Sequence, residues 1–109
     1  MPLLGRLQVP PGARRGEPFE VRVLVQHPME TGFRRDLDGR AIAMNVLDKL
    51  TCRYGGREVF RAELGTGVAA NPYVSFFVVA QESGELVVEW SDDRGERGGA
   101  KAAVTVTQG

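Results

Sequence analysis

Residues 19–26 read FEVRVLVQ, and this stretch decides the fold class. Phe and Val at the odd positions alternate with Glu, Arg, Leu and Gln at the even positions. Alternation with a period of two, rich in β-branched residues, is typical of a half-buried β-strand. Pro28 follows and ends the run, because proline cannot donate a backbone hydrogen bond to a neighbouring strand.

Other parts of the chain carry similar strand patterns, with turn signals about every 8–12 residues between them. These stretches are residues 7–9, 46–54, 57–63, 73–80, 86–91 and 102–107. Residues 41–50 also fit a helix by spacing, and residues 73–80 are apolar on both faces, which predicts a strand that is central or lies under a partner. We therefore predict an all-β protein, an immunoglobulin-like antiparallel β-sandwich of about seven strands that forms a single domain over residues 1–109.

The charge balance and the cysteine count exclude several classes of protein. The 14 basic and 14 acidic residues give zero net charge, which argues against nucleic-acid binding. A single cysteine excludes an intrachain disulfide and a thiolate cage for a metal. No apolar run reaches the length of a signal peptide or the roughly 20 residues of a membrane span, so we expect a soluble chain with no export signal of its own.

Few residues are candidates for chemistry. His27 is the only histidine and is a candidate general base, or a metal ligand together with Glu30 and Asp36, but this set has no recognised ligand spacing. Cys52 is a candidate thiol partner for His27, but it lies on the apolar face of its predicted strand. The sequence favours a structural role for both residues and predicts no catalytic, cofactor or metal site.

Two segments combine polar residues, proline and apolar residues that look exposed. They are residues 27–36, which begin with HPMETG and end with RRD, and residues 65–73, GTGVAANPY. Loops of this composition on a rigid scaffold are typical of partner binding. The candidate partner-contact residues are His27, Met29, Glu30, Phe33, Arg34, Val68, Asn71 and Tyr73.

The first segment, the second segment extended to residue 76 (GTGVAANPYVSF) and residues 88–95 (VEWSDDRG) resemble the SoxZ family, in the family's order and across nearly the whole chain. The resemblance implies a non-catalytic subunit, without a cofactor, that pairs with SoxY in the SoxYZ carrier of thiosulfate oxidation. SoxY holds the sulfur intermediates on a cysteine in a C-terminal Gly-Gly-Cys-Gly-Gly arm. The present chain has no such arm, and its only cysteine, Cys52, lies mid-chain.

The resemblance also implies partners and a location. Expected partners are a SoxY-type chain in a heterodimer and other Sox enzymes through that complex, and an isolated chain is expected to self-associate. Export to the periplasm together with SoxY is expected; a chain outside the family would stay in the cytoplasm. A generic immunoglobulin-like interaction module with another partner and a small enzyme using Cys52 and His27 remain the alternatives. We expect the two segments and the strand at residues 73–80 to border either the interface with SoxY or the surface presented to the Sox enzymes.

Overall fold

Alternating apolar residues build nine β-strands in the computed structural model, which describes residues 3–108. The strands are β1 Gly5–Gln8, β2 Ala13–Arg14, β3 Pro18–Val25, β4 Leu47–Tyr54, β5 Arg57–Glu63, β6 Tyr73–Val79, β7 Gly84–Asp92, β8 Arg97–Val104 and β9 Val106–Thr107. Within the described residues, no helix is long and apolar enough to cross a membrane.

Two antiparallel sheets enclose the core. One sheet has the order β1-β3-β6 and the other has the order β5-β4-β7-β8, while β2 and β9 form a short parallel pair. Every second side chain along most of β3 and β7 is buried between the sheets, and Trp90 is among them. Strand β4 buries Leu47, Leu50, Cys52 and Tyr54, with a register shift after Leu47. The predicted immunoglobulin-like β-sandwich is confirmed: seven strands of four or more residues form the two sheets.

Strand β6 departs from one of the two predictions made for it. Within residues 3–108 it pairs with β3 alone, so it lies at the edge of its sheet and not at the centre. Phe76 faces the core, where its ring stacks on that of Phe60 from β5 with centroids 4.0 Å apart. Both faces of β6 are apolar, but only one of them is buried inside this chain.

Contacts between residues far apart in the sequence explain the other differences between the predicted and the observed strands. Ala13–Arg14 pair with Val106–Thr107, so the strand predicted at residues 102–107 is divided between β8 and β9. Residues 41–46 form no helix, and the strand begins at Leu47. Strand β8 begins earlier than the predicted last strand, and Gly98 lies inside it beside Trp90.

An arm formed by residues 30–45 extends from the end of the sandwich where β3 ends and β4 begins. Two isolated bridges hold it, Glu30 to Asn45 and Arg35 to Ala41, and Gly39 closes its tip with φ 80°. The arm contributes to an elongated molecule with extents of 60 × 19 × 19 Å.

Candidate partner-binding surface

His27 lies inside the fold, directly after β3, and links two distant segments. The backbone N–H of Met29 donates to Nδ1 of His27 at 3.0 Å, so this nitrogen carries no proton. The other nitrogen, Nε2, therefore carries the proton and donates it to Oδ2 of Asp92 at 3.2 Å. Both ring nitrogens are engaged and the side chain is fully buried, so His27 has no free lone pair for a general base or a metal ligand.

Asp92, at the end of β7, is the acceptor at the centre of this buried polar network. Its Oδ1 accepts the backbone N–H groups of Arg94 and Glu96, both at 2.9 Å, and its Oδ2 also accepts Nδ2 of Asn45 at 3.0 Å. Burial alone raises the pKa of the carboxyl group. The hydrogen bonds from Asn45, the backbone of Glu96, His27 and the backbone of Arg94 outweigh burial and bring the pKa below its usual range. The carboxylate therefore stays charged and joins four segments of the chain.

Met29 is also buried, and its backbone is held in the left-handed region at φ 51°. Its Sδ accepts the backbone N–H of Leu47 at 3.1 Å. An alanine at this position would leave that donor without its sulfur acceptor and open a gap in the core. A loss of partner binding in such a variant would therefore report on folding as much as on contact.

The second motif segment is tied to the first through Asn71. The backbone N–H of His27 donates to Oδ1 of Asn71 at 3.0 Å, and the backbone N–H of Asn71 donates to the carbonyl of His27 at 2.8 Å. Asn71 has φ 53°, a conformation that asparagine tolerates better than most residues. The two segments that carry the family resemblance thus lie side by side at one end of the sandwich.

An open cleft of 610 Å³ lies between these segments. Val68 lines one wall, and on the opposite wall Glu30 accepts two hydrogen bonds from Arg34, at 2.7 and 3.0 Å. The bidentate pair cancels the charge of both side chains, so the rim is polar without a net charge.

The structure separates the eight candidate contact residues into distinct groups. The side chains of His27 and Met29 are buried, so they position the loop and do not present a surface. Glu30, Arg34 and Val68 line the cleft, whereas Phe33, Asn71 and Tyr73 are exposed. Phe33 on the arm leaves 88% of its surface in solvent. For the exposed and cleft residues, partner contact stays a prediction.

Cys52 faces the core and is fully buried. Burial raises the pKa of its thiol to about 11, which keeps the sulfur protonated and unreactive near neutral pH. His27 is already bound to Met29 and Asp92, so it cannot activate this thiol. The geometry argues against an enzyme that uses Cys52 and His27.

The candidate metal set of His27, Glu30 and Asp36 does not assemble. Across residues 3–108, no group of three or more His, Cys, Asp or Glu side chains is placed to hold a metal ion. Glu30 is paired with Arg34, and Asp36 accepts backbone N–H groups within the tip of the arm.

The sequence reasoning missed most of an exposed apolar surface on the three-stranded sheet. We call this surface the apolar face and define it by Leu24 of β3 with Tyr73, Phe77 and Val79 of β6. Their exposed fractions are 37%, 59%, 68% and 50%. The register places Leu24 opposite Tyr73, so the strands present these side chains on one side. The signal in the sequence was the apolar pattern on both faces of residues 73–80, but it did not show that β3 adds Leu24.

Fold and site together define an immunoglobulin-like β-sandwich. It has a buried polar network around Asp92 and carries the apolar face on its three-stranded sheet. A family model described as sulphur oxidation protein SoxZ matches residues 7–103, nearly the whole chain. The chain belongs to the SoxZ family. A search of curated proteins finds no match.

Several solved structures share the fold. The superoxide reductase (neelaredoxin) of Ignicoccus hospitalis has a TM-score of 0.71 at 21% identity, and the match covers 94% of this chain and 80% of that one. The sulfur carrier protein SoxY of Chlorobium limicola f thiosulfatophilum has a TM-score of 0.64 at 17% identity, with 94% and 78% covered. A variant of the Archaeoglobus fulgidus superoxide reductase has a TM-score of 0.65 at 19% identity, with 94% and 89% covered. At these identities the likeness shows the fold alone.

Proposed function

We propose that this chain is the non-catalytic subunit of a SoxYZ-type carrier, in which a SoxY-type chain holds covalently bound sulfur intermediates during thiosulfate oxidation. Membership of the SoxZ family supports the Sox assignment. The engaged ring of His27 and the buried thiol of Cys52 support a role without chemistry of its own. Other Sox enzymes meet this chain through the complex, which reaches the periplasm by export with the SoxY-type chain.

The apolar face is the main observation that supports binding to a stable protein partner. It leaves large side chains such as Tyr73 and Phe77 mostly in solvent. Contiguous exposed apolar surface on a small domain marks a site of protein contact. Aromatic residues are also the type that most often contributes binding energy at interfaces.

The outer face of the four-stranded sheet shows the contrasting composition. Arg53 pairs with Glu89 at 2.6 Å, and Arg61 pairs with Glu58 at 2.9 Å. Charged side chains of this kind are typical of a sheet surface that stays in water. The outer face of the three-stranded sheet also carries a charged pair, Arg22 with Glu20 at 2.8 Å. Its β6 side nevertheless exposes Tyr73, Phe77 and Val79, so that side is the one suited to a partner.

Co-expression with a SoxY-type chain tests the proposal. Native mass spectrometry is expected to show a one-to-one complex. Alanine at Tyr73 or Phe77 is expected to weaken that complex about tenfold or more, because each truncation removes a large apolar contact. Val59→Ala is the matched control, since Val59 is an exposed apolar residue, at 41%, on an edge strand of the other sheet.

Two outcomes would contradict the proposal. The first is no complex between the wild-type chains at micromolar concentration. The second is a complex that Tyr73→Ala and Phe77→Ala leave as tight as Val59→Ala does. If the chain binds an unrelated protein and no SoxY-type chain, it is instead an immunoglobulin-like interaction module with a different partner.

A further inference from the structure

The free edge of β6 carries a row of backbone groups with known direction. In the pairing of β3 with β6, the N–H of Val25 donates to the carbonyl of Pro72 at 3.0 Å, and the N–H of Ala80 donates to the carbonyl of Glu17 at 2.9 Å. Hydrogen-bonded pairs recur at every second position of an antiparallel ladder. The even-numbered residues of β6 therefore direct their N–H and C=O groups towards β3.

The odd-numbered residues of β6 direct theirs away from β3, towards the edge where the described chain places no strand. These residues are Tyr73, Ser75, Phe77 and Val79. They offer four donors and four acceptors in a row to any extended strand placed beside them. Three of the four also belong to the apolar face.

Strand β5 forms the edge of the other sheet on the same side, and it is protected against pairing with another chain. Strand β6 lacks this protection. Strand β5 carries charged residues throughout its sequence, REVFRAE, and its pairing with β4 is interrupted by a bulge at residues 52–53. Charges and bulges are the common devices that prevent an edge strand from pairing with another chain. Strand β6, YVSFFVV, has no charge and no proline, and its register with β3 is continuous.

We propose that an edge strand of the SoxY-type partner pairs with the free edge of β6, so that one β-sheet continues from this chain into its partner. The proposal rests on the proposed function, since it states how that same partner binds. The occupant is a strand because the row of N–H and C=O groups matches only an extended backbone. It is an uncharged strand because the flanking side chains, Tyr73, Phe77 and Val79, would otherwise have to desolvate a charge.

Two further observations favour this partner as the occupant. SoxY of Chlorobium limicola has the same fold, so a SoxY-type chain has sheet edges of the same kind to offer. The edge is also continuous with the apolar face, so one partner covers both with a single contact. A second copy of this chain is the competing occupant, and the experiment separates the two.

Amide hydrogen exchange followed by NMR tests the pairing residue by residue. In the free chain, the amide protons of Ser75 and Phe77 are expected to exchange quickly, while those of Phe76 and Val78 are protected by β3. In the complex, Ser75 and Phe77 are expected to slow by about a hundredfold or more, because opening a paired ladder is rarer than exposure to water. The change from alternating to uniform protection is specific to strand pairing, since docking on the apolar face alone leaves the edge amides free.

Ser75→Pro gives an independent test, with Ser75→Ala as its matched control. Proline is tolerated at an edge position whose N–H points to solvent, so the variant is expected to fold, and a thermal melt checks this. It removes one edge donor and blocks close approach of a strand. The complex is expected to weaken by about tenfold or more with Ser75→Pro and less than threefold with Ser75→Ala.

The outcomes separate the two proposals. If wild-type chains form no complex, the proposed function fails. If the complex forms but Ser75 and Phe77 stay as exchangeable as in the free chain, the function stands and the strand pairing is overturned. Protection of both amides in the isolated chain, unchanged when the SoxY-type chain is added, would assign the edge to a second copy and overturn the proposal as well. If Ser75→Pro does not fold, the exchange rates of the Ser75 and Phe77 amides in the wild-type complex test the strand pairing by themselves.

Discussion

Asp92→Asn is expected to lower the free energy of unfolding by about 3 kcal/mol at pH 7. The carboxylate accepts two backbone N–H groups at Oδ1 and the donors of His27 and Asn45 at Oδ2. An amide keeps one acceptor oxygen and places an NH2 group where the other acceptor was. Two hydrogen bonds to a charged group are then lost, each worth roughly 1.5–3 kcal/mol, and buried donors are left facing each other.

His27 cannot adapt to this change by moving its proton. If Nδ1 carried the proton, Nε2 would accept from the new amide, but Nδ1 would then face the N–H of Met29. With the proton on Nε2, His27 has no acceptor at residue 92. With the proton on Nδ1, it faces the N–H of Met29. Neither tautomer of His27 therefore satisfies every donor in the network. This is why the expected loss exceeds the value of an ordinary surface hydrogen bond.

Urea unfolding at pH 7 measures the effect, with Asp38→Asn as the control. Asp38 lies exposed at the tip of the arm, and its variant is expected to change stability by less than about 0.5 kcal/mol. A loss below about 1 kcal/mol for Asp92→Asn would refute the reasoning, because it would mean that the network is satisfied without the charge.

The same network predicts a dependence on pH. The pKa of Asp92 is lower in the folded chain than the roughly 3.9 of an unfolded aspartate. The carboxylate therefore contributes stability that is fully present above the unfolded pKa and is lost as pH falls through the folded pKa. The difference between the wild type and Asp92→Asn should shrink below about pH 4; an unchanged difference at pH 2.5 would contradict the assignment.

Further predictions concern packing and reactivity. Gly98→Ala is expected to lower the melting temperature by several degrees, because an added Cβ would lie 2.0 Å from the carbonyl oxygen of Leu3, whereas Gly65→Ala meets nothing within 4 Å and should melt like the wild type. Cys52 is expected to resist thiol reagents in the folded chain at pH 8 and to react at once in denaturant, and rapid native labelling would contradict its burial. Asn71→Gly keeps the positive φ but removes an acceptor, so calorimetry should show a smaller loss than for Asn71→Val, which strains the backbone as well.

Local sequence patterns were enough to predict most of the fold. The alternation in β3 predicted its buried face. The turn predicted between the stretches at residues 46–54 and 57–63 forms at Gly55 and Gly56, which both have positive φ. These features depend on neighbours in the sequence, so periodicity and turn chemistry are enough to find them.

The edge position of β6 and the buried polar network around Asp92 depend on contacts between residues that are far apart in the sequence. An apolar strand pattern looks the same at the centre of a sheet and at an edge whose partner belongs to another chain. His27 and Asp92 are 65 residues apart, and nothing in the spacing of HPMETG shows which carboxylate it meets. The structural role favoured for His27 agrees with its buried hydrogen bonds, but the identity of its partner, Asp92, came only from the fold.

The difference between the two sheet edges also has a consequence for stoichiometry. A filament needs two adhesive edges on every subunit, so that each copy can extend the row in both directions. On the side of the sandwich where β6 lies, the edge of β6 is neutral and continuous while the edge of β5 is charged and bulged, so only the edge of β6 is suited to take a strand on that side. If a partner strand takes the edge of β6 as proposed, no second open edge remains on that side, so we expect the contact there to stop at a pair.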